Sequence, residues 1–355
     1  MDAERREFAL DLAAPLETAS GTIEQREGIA LRIAEDGAVG VGEATPLPGW
    51  TESPATCRER LAAATTYLDD GDPAAALDAV DESPAARHAV HLALADLRAR
   101  QDGVPLYRYL GSVGRVERVP VNATIGVGSP DDAAAAARGA VEQGFQCLKL
   151  KVGAGTVEEA VERVETVREA LPRGIALRAD ANGSWDREQA GEALRAFADS
   201  GVEYVEQPLA IDDLEGHADL RQQSAGVGVA LDESLRTASI DDVLDAGAAD
   251  VVVLKPMVLG GLDRARRIAI RARREGVAPV VTTTVDAVVA RTGAVHFAAS
   301  IPGVDPCGLA TAERLADDLA PDPAPITEGD AVVPQGDGLG TRGPWEHTVD
   351  GENRR

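Results

Sequence analysis

Lysine is nearly missing from this chain. Only Lys149, Lys151 and Lys255 occur among its 35 basic residues, and the other 32 are arginine. Cysteine is scarce as well. Cys57, Cys147 and Cys307 are odd in number, far apart and without a CxxC pair, which argues against a disulfide framework and a cysteine-built zinc site. No stretch nears the roughly 18 consecutive apolar residues of a membrane span, and the start MDAERREFAL lacks a secretory apolar core. Positive charge is in deficit: 60 acidic against 35 basic residues give a formal net charge of -25. Such a surface repels nucleic acid and anionic lipid. The expected protein is soluble and cytoplasmic, works on a small molecule rather than on nucleic acid or membrane, and is left open to homo-oligomerisation.

The acidity has a physical use of its own. A drift from lysine to arginine does not add carboxylates, whereas strong ionic screening makes a large net charge tolerable. The composition therefore points to a halophilic cytosol.

At 355 residues the chain has room for a large α/β core with a smaller companion unit. Residues 1–115 read as an α+β domain, with strand-like stretches near 26–34 and 38–44 joined at Asp36-Gly37. Helices are expected near 53–69 and 84–101, and the Pro/Gly-rich loop GEATPLPGWTES (42–53) lies before the first of them. From residue 116 to 315 the texture becomes strand-then-helix. The strand cores are VNATIGV (121–127), QCLKLKV (146–152), IALRAD (175–180), YVEQ (204–207), VGVALD (227–232), DVVVLK (250–255) and PVVTTTV (279–285). Stretches such as 131–143 and 261–276 carry apolar residues at helical spacing. Seven successive βα units predict parallel strands closed into a barrel with the helices outside. A doubly wound sheet would call for a Gly-rich phosphate loop after its first strand, and none is there. Residues 316–355 lose the repeat; AVVPQGDGLG (331–340) is expected to return to the first domain, and VDGENRR to fray.

In a βα barrel the active site forms at the C-terminal strand ends, because the βα loops gather there. Strand two ends in Lys149 and Lys151, strand three in Asp180, strand four in Glu206, strand five in Asp232 and strand six in Lys255. Any one of these acids could be an ordinary helix cap. Three in succession, bracketed by lysines, make a constellation. Three carboxylates aimed at one point repel unless a cation joins them, and all-oxygen donors favour Mg²⁺, with Mn²⁺ the second candidate. His88, His91, His217, His296 and His347 fall at no strand end, which argues against zinc.

Lys149 and Lys151 are two apart on a strand and so share its inner face, while Leu148, Leu150 and Val152 face the helices. Two close ammonium groups should depress each other's pKa, giving a lysine able to exchange a proton near neutrality. Arginine cannot do this. A lysine base beside Mg²⁺ implies removal of a proton next to a carboxylate, with the metal stabilising the enediolate.

At these residues the chain resembles the enolase superfamily in its muconate-lactonising subgroup, matching at LKLKV, RADANGSW, VEQPL, ALDES and VLKP. Within the subgroup, GEATPLPGW, Arg178, VVTTTVDA and CGLATAERLADDL resemble the o-succinylbenzoate synthase branch, and the likeness spans about residues 20–340. The resemblance implies a modified TIM barrel, (β/α)7β, with an N-terminal α+β capping domain. It implies dehydration of 2-succinyl-6-hydroxy-2,4-cyclohexadiene-1-carboxylate to 2-succinylbenzoate in menaquinone biosynthesis. Lys151 would be the acid/base, Lys149 would keep it basic, and Lys255 would stabilise the enediolate by its charge from the opposite side. Asp180, Glu206 and Asp232 would hold Mg²⁺. SGTIEQ (20–25) and PLPGW (46–50) would be lid loops, and Arg178, Thr282, Thr283, Thr284 and Gly308 would contact substrate.

The same parts serve other subgroup members: N-succinylamino acid racemases, dipeptide epimerases and muconate cycloisomerases. Dipeptide epimerases carry an Asp-x-Asp on the last strand for the substrate ammonium. Here that place reads Gly308-Leu309-Ala310, with Asp305 close before it. A Schiff-base aldolase using the strand-six lysine would leave the three carboxylates without a role.

Overall fold

Two glycines explain how the N-terminal unit is built. A Cβ on Gly40 would lie 2.1 Å from the Ala93 carbonyl oxygen, and one on Gly42 would lie 1.9 Å from that of Ala89. Only bare backbone lets the strand Ala38–Ala44 lie this close to the helix Pro84–Gln101. In the computed structural model, which describes residues 1–18, 21–223 and 226–348, this unit is an antiparallel sheet of β1 (Asp2–Thr18), β2 (Gly21–Glu35) and β3 (Ala38–Ala44), in that order. The β2–β3 turn takes positive φ at Asp36 (52°) and Gly37 (82°), the two-residue hairpin geometry that Asp-Gly favours. The helices Pro54–Asp69, Pro73–Ala79 and Pro84–Gln101 each begin on a proline, whose missing N–H costs nothing at that position.

Strand β1 goes beyond the sequence expectation. Its residues contain no β-branched side chain before Thr18, so propensity points elsewhere. Pairing with β2 over thirteen partners builds it anyway. The same pairing corrects the expected 20–25 loop: Gly21–Gln25 are strand, and Ser20 lies outside the described residues.

The second unit is a parallel seven-stranded sheet of β5 (Ala123–Ile125), β6 (Cys147–Lys151), β7 (Ala176–Asp180), β8 (Val202–Glu206), β9 (Gly228–Leu231), β10 (Val251–Leu254) and β11 (Ala278–Val281), in strict sequence order. All seven lie within or across the predicted strand cores. The segment after the last barrel helix, Val288–Ala299, closes the sheet on itself. Cys307 bridges Val121 in parallel and Gly308 bridges Thr282, so the eighth position joins the first and seventh. This is the (β/α)7β barrel.

Strand alternation sorts its side chains. Leu148, Leu150, Leu177, Val205, Val229, Val252 and Val281 face outward into one large buried cluster with the helices. Tyr204, Ala230, Val251, Val253 and Val280 face inward and form a separate apolar plug in the barrel. Above the plug, toward the C-terminal strand ends, the inward positions turn polar.

After the barrel the chain adds β12 (Ile326–Thr327) and β13 (Asp330–Val332) to β4 (Arg118–Pro120) as a small antiparallel sheet. Gly338 then exchanges backbone hydrogen bonds with Val104 and Leu106, and the Leu339 N–H donates to Asp96 of the capping unit. The tail 349–355, expected to fray, lies outside the described residues. No helix among the described residues is long and apolar enough to cross a membrane.

The two units are tied by buried polar contacts. Glu43, fully buried, accepts from the backbone N–H groups of Ala287 and Ala290, both 2.8 Å away, at the start of the helix Val288–Ala299. That helix has no capping side chain of its own, so the capping unit supplies one. Burial, with the nearby Asp286 charge, pushes the Glu43 carboxyl up to about 7. Arg87 adds a bidentate pair to Asp263 at 2.9 and 3.0 Å.

Candidate active site

The barrel brings all six predicted strand-end side chains to one mouth. Inward parity carries Lys149 and Lys151 there from β6. Asp180 and Glu206 are the last residues of β7 and β8, while Asp232 and Lys255 directly follow β9 and β10. Lys149 Nζ donates to both Glu206 oxygens at 2.9 and 2.8 Å and lies 3.1 Å from Asp180 Oδ2. Lys151 Nζ donates to the same Asp180 Oδ2 at 2.7 Å and to Asn182 Oδ1 at 2.8 Å. Lys255 Nζ pairs with Asp232. Because β6 and β10 hold the second and sixth of eight barrel positions, Lys151 and Lys255 face each other across the mouth.

The carboxylates are almost wholly buried, and their surroundings push them apart. Burial pushes Glu206 up to about 7, helped by the Asp180 charge and opposed by Lys149. Burial also raises Asp180, but Lys149 and Lys151 overcome it and hold that carboxyl below the usual carboxylate range. Asp232 is raised by burial, with Lys255 opposing. For Lys149 the expectation of a depressed pKa is corrected. Burial disfavours its charge, yet Glu206 and Asp180 outweigh burial and hold it well above the ordinary lysine range. The reason is geometric: Lys149 Nζ donates to both oxygens of the buried Glu206 and is also ion-paired with Asp180 Oδ2.

The donor set fits a hard divalent ion by its chemistry. Asp180, Glu206 and Asp232 offer only oxygens, from three adjacent strands, and Asp180 and Glu206 already share one cation in Lys149 Nζ. Among the described residues no three such side chains are gathered at metal-ligand spacing as they stand; each of the three carboxylates is instead paired with a lysine ammonium.

PLPGW does reach the mouth. The Trp50 ring carries Lys255 Nζ 3.8 Å from its centroid and the Arg236 guanidinium carbon at 5.0 Å. In the 20–25 segment, Gln25 donates to Asp11 within the β1–β2 hairpin. Arg178 is not brought to the mouth. It lies buried below Asp180, where its guanidinium donates to Glu203 and to the Pro306 carbonyl and stacks on Tyr204. The three threonines have partners inside the protein: Thr282 donates to the Gly308 carbonyl, Thr283 bonds Thr311, and Thr284 bonds Asp286. Gly308 leaves no room for a side chain, since a Cβ would lie 2.6 Å from Thr282 Oγ1. Asp305 precedes the Cys307 bridge, so it is exposed at the opposite end of the barrel.

Two residues escape sequence inspection. Asn182 accepts from Lys151 and donates to Glu233 at 3.0 Å, while Gln207 is wholly buried behind Glu206. Their signal is conformational: both are non-glycine residues at positive φ, 48° and 42°, within two residues of the end of a carboxylate-bearing strand.

A capped βα barrel with lysines facing each other around three buried carboxylates defines a class of acid–base enzyme that works beside a carboxylate. Comparison with known proteins agrees. Residues 132–346 match the family described as enolase C-terminal domain-like, and residues 2–111 match the mandelate racemase/muconate lactonizing enzyme N-terminal domain. The L-Ala-D/L-Glu epimerase of Bacillus subtilis is 33% identical over 315 residues, covering 84% of each chain. The o-succinylbenzoate synthase of Thermobifida fusca is 41% identical over 213 residues, 58% of this chain and 64% of that one. The structure of the Enterococcus faecalis dipeptide epimerase, complexed with Mg and L-Leu-L-Tyr, superposes with a TM-score of 0.84 at 29% identity, covering 96% of this chain and 98% of that one. The chain belongs to the mandelate racemase/muconate-lactonizing family of the enolase superfamily, and is an enzyme of it.

Proposed function

We propose that the enzyme is an o-succinylbenzoate synthase, dehydrating 2-succinyl-6-hydroxy-2,4-cyclohexadiene-1-carboxylate to 2-succinylbenzoate. One observation carries it over a dipeptide epimerase, while N-succinylamino acid racemases and muconate cycloisomerases, whose substrates also lack an ammonium, stand as the alternatives. The last barrel strand presents Gly308-Leu309-Ala310 rather than an Asp-x-Asp, and Asp305, which precedes it, is at the far end. A substrate with a free ammonium would lack its counter-charge there, whereas a dicarboxylate without an amine needs none.

In this proposal Asp180, Glu206 and Asp232 hold Mg²⁺, which when bound supplies positive charge against the negative charge that develops beside the substrate carboxylate. Lys151 Nζ, the most open of the three ammonium groups at 32% side-chain exposure, takes the proton from the carbon next to that carboxylate. The same nitrogen then gives the proton to the departing hydroxyl. The carbon–oxygen bond breaks, water leaves and the ring becomes aromatic. Asn182 orients the Lys151 ammonium. Lys149 pins Asp180 and Glu206, and Lys255 places a fixed positive charge across the mouth.

Racemisation of an N-succinylamino acid or a dipeptide is the second reading. It is favoured by two lysines on opposite sides of one site and by similarity to an epimerase over 84% of the chain. Loss of the cyclohexadiene absorbance, followed in molar KCl with Mg²⁺, tests the choice. Turnover abolished by Lys151→Arg and by a chelator supports the dehydratase. Folded protein that leaves the diene intact yet exchanges the α-hydrogen of N-succinylamino acids or dipeptides for deuterium rejects it in favour of the racemase.

A further inference from the structure

We propose that Gln207 is a positioning residue that sets the spacing of the three carboxylate-bearing strand ends, and so the affinity for the divalent ion. This rests on the assignment of Asp180, Glu206 and Asp232 as its ligands.

Gln207 is tied to all three of those strand ends, to one by the chain itself and to the other two by hydrogen bonds. It directly follows Glu206 on β8. Its backbone N–H donates to the Ala230 carbonyl of β9 at 2.8 Å, and its carbonyl accepts from Gly183, just past Asp180, at 2.7 Å. The side chain reaches further. Oε1 accepts from the backbone N–H groups of Asp232 and Ser234, both at 3.1 Å. Nε2 donates to Ser234 Oγ at 2.8 Å and to the Leu209 carbonyl at 3.1 Å. The backbone of Asp232 is thus held directly by the residue that follows Glu206.

Only a primary amide of this length satisfies the arrangement. Glutamate cannot donate, asparagine is one methylene short, and an apolar side chain would leave buried N–H and C=O groups without partners. The chain tolerates an awkward backbone to keep the amide in place. Gln207 sits at φ 42° with Pro208 next to it, and both the left-handed region and the residue before proline are unfavourable for a non-glycine residue. Conformational cost of this kind persists where the surroundings over-determine it, and it collects at functional sites. Residues that orient metal ligands through hydrogen bonds typically change affinity by about 10- to 100-fold when removed.

The test is isothermal calorimetry of MgCl₂ binding to the full chain in molar KCl, with folding checked by circular dichroism. Gln207→Ala should weaken the Mg²⁺ dissociation constant about 10-fold or more. Gln207→Gly separates positioning from strain: glycine accepts the positive φ, so this variant should melt higher than Gln207→Ala while binding Mg²⁺ just as weakly. Ser234→Ala, which removes one amide partner, should fall between wild type and Gln207→Ala and serves if the Gln207 variants do not fold. A dissociation constant within two-fold of wild type in a folded Gln207 variant overturns the proposal, as does an unchanged constant in Ser234→Ala when that variant alone folds. Wild-type protein that binds no Mg²⁺ overturns the ligand assignment and this inference with it.

Discussion

Replacing Lys149 by methionine removes the cation that holds two of the three carboxylates together. Its Nζ lies 2.8–3.1 Å from Glu206 and Asp180, with side-chain exposures of 12% for the lysine, 3% for the glutamate and 1% for the aspartate. At about 3 Å and an effective dielectric of about 20, each pair contributes roughly 5–6 kcal/mol of attraction before desolvation is counted. Breaking a buried pair by removing one partner typically costs about 3–5 kcal/mol, because the other charge is left uncompensated. Here the lower end applies. Glu206 is already pushed up to about 7, so taking a proton relieves part of the repulsion at neutral pH. Lys149→Met should therefore lose about 3 kcal/mol in a chelator, read as a fall of roughly 6 °C in Tm at about 2 °C per kcal/mol for a chain of this size. A dication that binds only the folded state should restore it, and should raise the Tm of the variant more than that of the wild type. Paired melts in chelator and in MgCl₂ decide the matter. A loss under about 1 kcal/mol, or a Mg²⁺ response no larger than wild type, would refute this account of the cluster.

Lys151→Arg keeps the charge and loses the proton exchange, so kcat should fall about 10²- to 10⁴-fold while Mg²⁺ still binds; near-normal kcat would remove Lys151 from the chemistry. Glu43 has a folded pKa of about 7 against an unfolded value of 4.5, so its stabilising contribution is complete below about pH 4.5 and is lost as pH rises through about 7. At about 1.4 kcal/mol per pH unit, the stability advantage of wild type over Glu43→Gln should shrink by roughly 3 kcal/mol between pH 5 and pH 8, and a constant difference in urea melts would contradict it. Gly42→Ala drives a methyl group into the Ala89 carbonyl and should fail to fold or lose several degrees of Tm; a neutral result would mean that the strand can move off the helix. With a formal charge of -25, the protein should gain stability from low to molar KCl, and salt-independent melts would dismiss a halophilic setting.

The division between sequence and structure follows from the range of the physics. Period-two alternation is local, so LKLKV already placed two lysines on one face and three leucine and valine side chains on the other. The repeat of strand and helix then set the barrel, and the strand ends set which six side chains share its mouth. Strand β1 was not legible, because its alanines, glutamates and arginines become strand only through pairing with β2. Charge states were not legible either. Two neighbouring lysines predict mutual depression, and only the fold shows that Glu206, with Asp180, meets the Lys149 ammonium and reverses the sign for it. Arg178, Asp305 and Gln207 needed the third dimension in the same way. Residue type says what each can bond, but depth in the barrel sends the arginine to the floor, the aspartate to the far rim and the amide behind the carboxylates. The sequence by itself determined the architecture and the chemical inventory of the mouth, since both rest on periodicity and residue type. Tertiary structure alone decided which groups touch, because contacts between strands about 25 residues apart depend on register and depth that no local pattern encodes.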